Sequence, residues 1–309
     1  MVESKHKWKA WLYLAPAMVL LLIFTVWPII NTLRIAFLDG YNMLGEIGGE
    51  TYSFGIKNFT DVLDPYSGFK EALVNTMLLT VLTVPLSTFL ALLIAVCLNS
   101  IKPLQRFLQT IFFLPYVTNS IAIGMVFEAM FNIVGFGTNN PSFGIINNVL
   151  GFFGVDPINW INAGSGYWAN IAVLVVYIVW NALPFKILIL LGGLQSINRQ
   201  YYDAAKVDST PRVRVFTKIT VPLLSPMLAY VVITGFIGGF KEYSSIVGIF
   251  GDDMKAVGTD HSLNTMVGYI YEALGNNEGR ASAAALILFA IIFVVTMINL
   301  YVSKKKTHY

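Results

Sequence analysis

The chain has 309 residues, of which 56% are hydrophobic and only 12% charged, and its mean hydropathy is +0.67. Those values exclude a soluble globular domain and require an integral membrane protein. A formal net charge of +3 offers no basis for nucleic-acid binding, and a single cysteine, Cys97, excludes an intramolecular disulfide and argues against redox chemistry or a cysteine-based metal site.

The N-terminal 30 residues begin basic and run into an apolar stretch holding Pro16 and Pro28. The stretch is too long for a secretory signal and lacks a small-residue cleavage site, so residues 11–37 are read as a first transmembrane helix, with Lys5, Lys7 and Lys9 inside. Residues 38–70 form a polar outer loop rich in acids: Asp39, Glu46, Glu50, Asp61 and Asp64. A second span covers 72–98 and is followed by a short basic inner loop, 99–106, with Lys102 and Arg106. The third span, 107–131, is interrupted by Pro115 and polar at Asn119. Residues 132–167 are rich in Gly, Asn and Pro, with Trp160 and Trp168 near the returning membrane edge, and read as an outer loop with short membrane-skimming pieces. Spans four, five and six cover 168–194, 221–250 and 281–302, and Lys304, Lys305 and Lys306 close the chain inside.

Each span reaches the length of about 20 residues that crosses the hydrocarbon core. Alternation then predicts an all-α membrane protein of six transmembrane helices with both termini cytoplasmic. The charge bias agrees independently. Lys5, Lys7, Lys9, Lys102, Arg106, Arg199, Lys206, Arg212, Arg214, Lys218 and the terminal lysines all fall inside, and Lys57, Lys70, Lys255 and Arg280 are the exceptions.

Between spans four and five lies the polar stretch 195–220, QSINRQYYDAAKVDSTPRVRVFTKIT, which lipid could not accept. Asp203 to Val207 favour a short helix, Asp208-Ser209-Thr210 a turn and new cap, and Pro211 is suited to the first position of a second helix. Arg212, Arg214 and Lys218 would give that second helix a basic face, and Val213, Phe216 and Ile219 an apolar one. Such a cassette, held at the membrane surface from both sides, is where a soluble partner would push.

Ionisable and amide groups inside the apolar runs are the candidate substrate pathway: Glu128, Asn181, Lys186, Lys241 and Glu242, with Asn75 and Asn119 weaker. Charge facing lipid is costly, so each must point into the bundle, pair, or line a wet cavity. Lys241 and Glu242 would stand about 100° apart on a helix, and Lys186 is a candidate partner for Glu128 or Glu242. The aromatics Phe240, Tyr243, Trp180 and Phe185 beside them suit packing, and equally a sugar's C–H faces. No Gly-rich piece is followed by Gly-Lys-Ser/Thr, and His6, His261 and His308 form no ligand pattern, so no cofactor or metal is expected here.

DAAKVDSTPRVRVFTKITVPLLSP resembles the EAA signature of ABC-importer permeases. The resemblance makes Asp203, Ala204, Ala205, Asp208, Ser209 and Phe216 an ATPase-coupling site, with Ile219 and Pro222 also on its pattern. Asp203 stands where Glu is usual, and Ser209 where a turn Gly is usual, so a positive φ there would strain a serine. NTMLLTVLTVPLSTFLALLIAVCLN, FFLPYV and GLQSI narrow the resemblance to the carbohydrate-uptake branch, MalF-like and UgpA-like. In maltose-type permeases the fifth shared helix contacts the sugar, and Gly239 and Glu242 fall on those positions; the missing side chain at one and the acid at the other point away from maltose itself.

The resemblance implies the type I ABC importer permease fold. An N-terminal segment, 1–70, precedes the importer transmembrane domain, 71–302, with its cassette at 195–220, and a basic tail covers 303–309. It further implies a second homologous permease, two ATPase subunits carrying ATP and Mg, an extracellular or periplasmic solute-binding protein, the lipid bilayer of a bacterial or archaeal cytoplasmic membrane, and a sugar substrate, an oligosaccharide. Three alternatives remain: the same machine for glycerol phosphate or another anion countered by Lys186, Lys241 or Arg34, an ion-coupled secondary transporter, and a membrane scaffold with no route of its own.

Overall fold

The structure, a computed structural model, describes residues 7–101, 105–259 and 262–306. Lys5, His6, Lys102, His261 and His308 lie outside the described residues. In chain order the elements are α1 (Lys7–Leu21), a π-helical turn (Leu22–Val26), α2 (Trp27–Ala36), α3 (Met43–Ile47), α4 (Lys57–Leu63), α5 (Phe69–Ser100), α6 (Gln105–Val117) and α7 (Ser120–Phe131). An antiparallel pair, β1 (Ile133–Val134) and β2 (Ser142–Phe143), precedes α8 (Ile145–Phe152), α9 (Tyr167–Ser196), α10 (Arg199–Val207) and α11 (Arg212–Val215). A second π-helical turn (Phe216–Thr220), α12 (Val221–Leu223), α13 (Ser225–Phe240), α14 (Ser244–Phe250), α15 (Met266–Leu274) and α16 (Glu278–Lys306) complete the described chain.

Among the described residues, four helices are long and apolar enough to cross a membrane: Trp11–Ala36, Phe69–Ser100, Tyr167–Ser196 and Glu278–Lys304. Two bent pairs, Phe107–Val117 with Ser120–Phe131 at 98° and Arg212–Leu223 with Ser225–Phe240 at 66°, bring the total to six. The third span is therefore two helices, not one interrupted rod. Asn119 makes the break: its backbone is extended, and its Oδ1 accepts from Ile121 N at 2.9 Å and Ala122 N at 3.3 Å, capping α7.

The fifth span also ends earlier than expected, at Phe240, so Lys241 and Glu242 do not share a helix. The physical reason is local. Glu242 Oε1 accepts from the N–H groups of Tyr243 and Ser245, both at 3.2 Å, and so starts α14 as a separate helix after a glycine-rich stretch that holds a helix poorly.

The chain divides into two compact units, residues 1–69 with 269–289, and residues 70–268 with 290–309. In the first, the expected outer loop is folded by specific polar contacts. Asn58 Nδ2 donates to Ala36 O at 3.1 Å and Leu38 O at 2.9 Å, and Arg280 Nε donates to Tyr269 OH at 2.7 Å. Arg34 grips Glu46 with both guanidinium nitrogens, at 2.7 and 3.1 Å, and Tyr41 OH donates to the same carboxylate at 2.5 Å. Those donors hold the Glu46 carboxyl below the usual carboxylate range, Arg34 first and Tyr41 second.

The second unit has two apolar centres. One gathers Phe127, Phe131, Leu174, Tyr177, Ile246 and Leu263; the other gathers Ala91, Leu98, Ile187, Leu190 and Leu224. α7 and α14 meet at glycines: a Cβ placed on Gly124 would lie 2.7 Å from Gly248 Cα, so only hydrogen fits. Asn75, on α5, donates to Ser262 O at 2.9 Å and Asn264 O at 3.0 Å and accepts from Tyr167 OH at 2.7 Å. It is a clamp on a loop. The asparagine-rich stretch 132–167 is pinned in the same manner: Asn147 Nδ2 donates to Ile158 O at 3.0 Å, and Asn170 Nδ2 to Trp160 O at 2.6 Å.

Candidate functional site

Two features of the second unit bear on function: a membrane-level cavity and the polar cassette. The cavity, of about 270 Å³, lies between α5, α6, α9 and α13. From α9 come Ile178, Asn181, Ala182, Phe185 and Lys186; from α13 come Thr234, Gly235, Gly238 and Gly239; α5 gives Thr83, Val84 and Ser87, and Tyr116 and Glu242 close it. Four of the sequence-predicted pathway residues thus converge: Asn181, Lys186, Gly239 and Glu242. The other four are not among the lining residues. Glu128 is half-buried near the end of α7 and accepts from Asn132 Nδ2 at 3.4 Å; Phe240 is buried, Lys241 is exposed, and Tyr243 packs on the Phe127 centre.

The expected pairing of Lys186 with Glu128 or Glu242 is not made: neither carboxylate lies within ion-pair distance. The ammonium instead spends its three donors on α5, reaching Ser87 Oγ at 2.7 Å, Thr88 Oγ1 at 3.0 Å and Val84 O at 3.2 Å. Three converging neutral oxygens satisfy every donor of the ammonium without a partner acid, and here the approach of α9 to α5 brings them together. Gly235 lets α13 close over the pair: a Cβ there would stand 3.0 Å from Val84 Cγ1 and 3.2 Å from Lys186 Nζ. Gly239 faces Thr80 in the same manner, at 2.8 Å.

Sequence reasoning passed over Thr83, Ser87, Thr234 and Tyr116. A signal for the first two existed. Thr76, Thr80, Thr83 and Ser87 are spaced by 4, 3 and 4 residues, a single helix face, and all are buried. The lining offers flat rings, with Tyr116 stacked on Phe185 at 5.7 Å and 19°, together with amide, hydroxyl, ammonium and carboxylate groups.

The cassette is a helix, a tight turn and a second helix, as expected, with Pro211 one position earlier, as the cap of α11 (φ −59°, ψ 143°). Ser209 does adopt a positive φ, 51°. Its N–H donates to Lys206 O at 3.0 Å and that of Thr210 to Ala205 O at 2.9 Å, the five-to-two and six-to-one bonds, respectively, that end a helix on a left-handed residue. Ala205 is buried, while Asp203, Ala204, Asp208 and Ser209 are exposed and Phe216 is half-buried. Of the apolar residues Val213, Phe216 and Ile219, the last two are half-buried and Val213 is 74% exposed, as is Val207 at 85%. Asp203 accepts from Lys206 Nζ at 3.0 Å. Among the described residues, no group of three or more His, Cys, Asp or Glu is placed to hold a metal.

The lactose transport system permease protein LacF of Rhizobium radiobacter is 28% identical over 292 residues, 94% of this chain and 91% of the relative. The arabinooligosaccharides transport system permease protein AraP of Bacillus subtilis is 29% identical over 297 residues, 95% and 88% respectively. A chain of the bacterial alginate ABC transporter, solved in complex with an alginate pentasaccharide-bound periplasmic protein, superposes with a TM-score of 0.79 over 99% of this chain and 98% of that one; at 22% identity it shows the shared fold. Residues 68–308 match the model of the binding-protein-dependent transport system inner membrane component, and the chain belongs to that family, the permease subunits of ABC importers.

Proposed function

We propose that this chain supplies half of the route by which an ATP-driven importer moves an oligosaccharide across the cytoplasmic membrane. The observation that carries the reading is the cavity, lined by stacked Tyr116 and Phe185 together with Asn181, Thr234, Lys186 and Glu242. Rings match the C–H faces of a sugar and the polar rim matches its hydroxyls. LacF and AraP, named for saccharides, support the same substrate class.

A second, homologous permease closes the other side of the route. One of two ATPase subunits docks on the cassette, residues 195–220, through Asp203, Ala204, Ala205, Asp208, Ser209 and Phe216, and the other docks on the second permease. ATP and Mg reside on those subunits. A solute-binding protein delivers the sugar from outside, ATP-driven closure of the ATPases shifts the permease pair to its outward-open state, and hydrolysis resets it.

An anionic solute fits less well. Arg34 is engaged by Glu46, Lys241 is not among the lining residues, and the one ammonium in the cavity is accompanied by a carboxylate, Glu242. The test is ATPase activity of the assembled complex in lipid with its binding protein, against lactose, an arabinooligosaccharide and an alginate oligosaccharide, for the intact chain and Asp208→Arg. Stimulation by a neutral saccharide that vanishes in the variant, with assembly intact, supports both site and coupling. Stimulation by the acidic saccharide alone would favour an anion route. Transport that collapses with the ion gradient while ATP persists would overturn the importer mechanism.

A further inference from the structure

The cavity does not end the run of aromatic rings. Tyr116 and Phe185, which line it, continue on either side into Phe113, 5.7 Å from Tyr116, and Tyr230, 6.4 Å from Phe185. The four rings come from α6, α9 and α13. Their order along those helices gives a direction. Phe113 precedes Tyr116 on α6, and Tyr230 sits five residues into α13, before the cavity positions Thr234 to Gly239. At about 1.5 Å per residue, Tyr230 lies roughly 6 Å from the level of Thr234 and roughly 12 Å from that of Gly238, toward the end that carries the cassette.

We propose that Phe113, Tyr116, Phe185 and Tyr230 form an aromatic track on which the saccharide leaves the cavity toward the cassette-bearing side. The inference rests on the carbohydrate reading and extends it to a second binding stretch. Three observations support a sugar as the occupant. The track is continuous with the cavity, because Tyr116 and Phe185 belong to both. Phe113, Tyr116 and Tyr230 are 43%, 50% and 47% exposed, so ring faces are available. Neither phenol hydroxyl has a hydrogen-bond partner among the described residues, a costly arrangement against hydrocarbon and a useful one beside sugar hydroxyls. A row of flat rings without a deep subsite binds each sugar unit weakly, which suits release.

Having a single cysteine, the chain allows a direct test. Tyr230→Cys and, separately, Phe113→Cys are made in a Cys97→Ser background, assembled with the partner subunits in lipid, and exposed without nucleotide to a membrane-impermeant maleimide. The expected result is labelling that slows at least several-fold when the saccharide that stimulates the ATPase is added. An unlabelled cysteine, covered by lipid or by the second permease, overturns the track, as does labelling that the stimulating saccharide leaves unchanged. If no saccharide stimulates the ATPase, the carbohydrate reading itself has failed and the track falls with it. Phe113→Cys carries the same test should Tyr230→Cys fail to assemble.

Discussion

Lys186 donates to Ser87 Oγ at 2.7 Å, joining the middle of α9 to the middle of α5 across the wall of the cavity. The same Ser87 hydroxyl donates to Thr83 O, and Thr88 Oγ1 donates to Val84 O, so both keep a partner when the ammonium is removed. Loss of three hydrogen bonds from a charged donor is thus offset by relief of a buried charge. Lys186→Met is expected to lower stability by no more than about 1–2 kcal/mol and uptake by about tenfold, equivalent to roughly 1.4 kcal/mol. Thermal unfolding of the purified complex alongside an uptake assay checks both. A large stability loss with normal uptake per assembled complex would make Lys186 a strut alone.

Gly124 and Gly248 allow α7 to lie directly on α14, with Gly248 also facing Ile121 O at a Cβ distance of 3.0 Å. The obstruction to a methyl is backbone, which cannot swing away. Gly124→Ala is expected to cost about 1–3 kcal/mol, the usual range for overpacking. Gly238→Ala, where a Cβ meets nothing within 4 Å, should be nearly neutral in the same unfolding measurement.

Ser209 holds a φ of 51°, a conformation that glycine adopts without the side-chain clash. Ser209→Gly should stabilise the turn by up to about 1 kcal/mol, read as slower hydrogen exchange at Thr210 N–H, which donates to Ala205 O. Ser209→Val should speed it. Equal rates in the two variants would show that the turn geometry does not govern the cassette.

Glu46 gives the pH dependence. Its native pKa is lowered by Arg34 and then Tyr41, whereas in an unfolded chain it titrates near about 4.3. The carboxylate therefore contributes stability fully above that unfolded value and loses it as pH falls through the lowered native one. Protection from hydrogen exchange across 38–50, measured against the intrinsic exchange rate at each pH, should fall as pH drops through that window and change little there in Glu46→Gln. Salt should weaken the effect, because Arg34 and Glu46 are 48% and 37% exposed.

Composition, the six apolar runs, their flanking charges and the cassette with its DAAKVDS turn were legible in the sequence, because each depends on residues close along the chain. Asn119 marks a boundary: the sequence shows a polar residue within a span, whereas its role as the cap of a new helix bent by 98° depends on backbone geometry. Lys186 shows the other boundary. A charge in lipid must be solvated, but a nearby acid and a set of two hydroxyls and a carbonyl both do that, and a stripe of Thr and Ser on α5 carries no mark of which helix will face it.

Membrane residence, the count of crossings and the place where a soluble partner acts follow from transfer free energy and charge asymmetry, which are sums over local sequence. Which of Glu128, Asn181, Lys186, Gly239, Phe240, Lys241, Glu242 and Tyr243 share a cavity was decided only in three dimensions. Helices apolar on nearly every side have no hydrophobic face to orient them, so close contact at Gly124, Gly235, Gly239 and Gly248, and the need to satisfy every polar group inside lipid, set which faces meet.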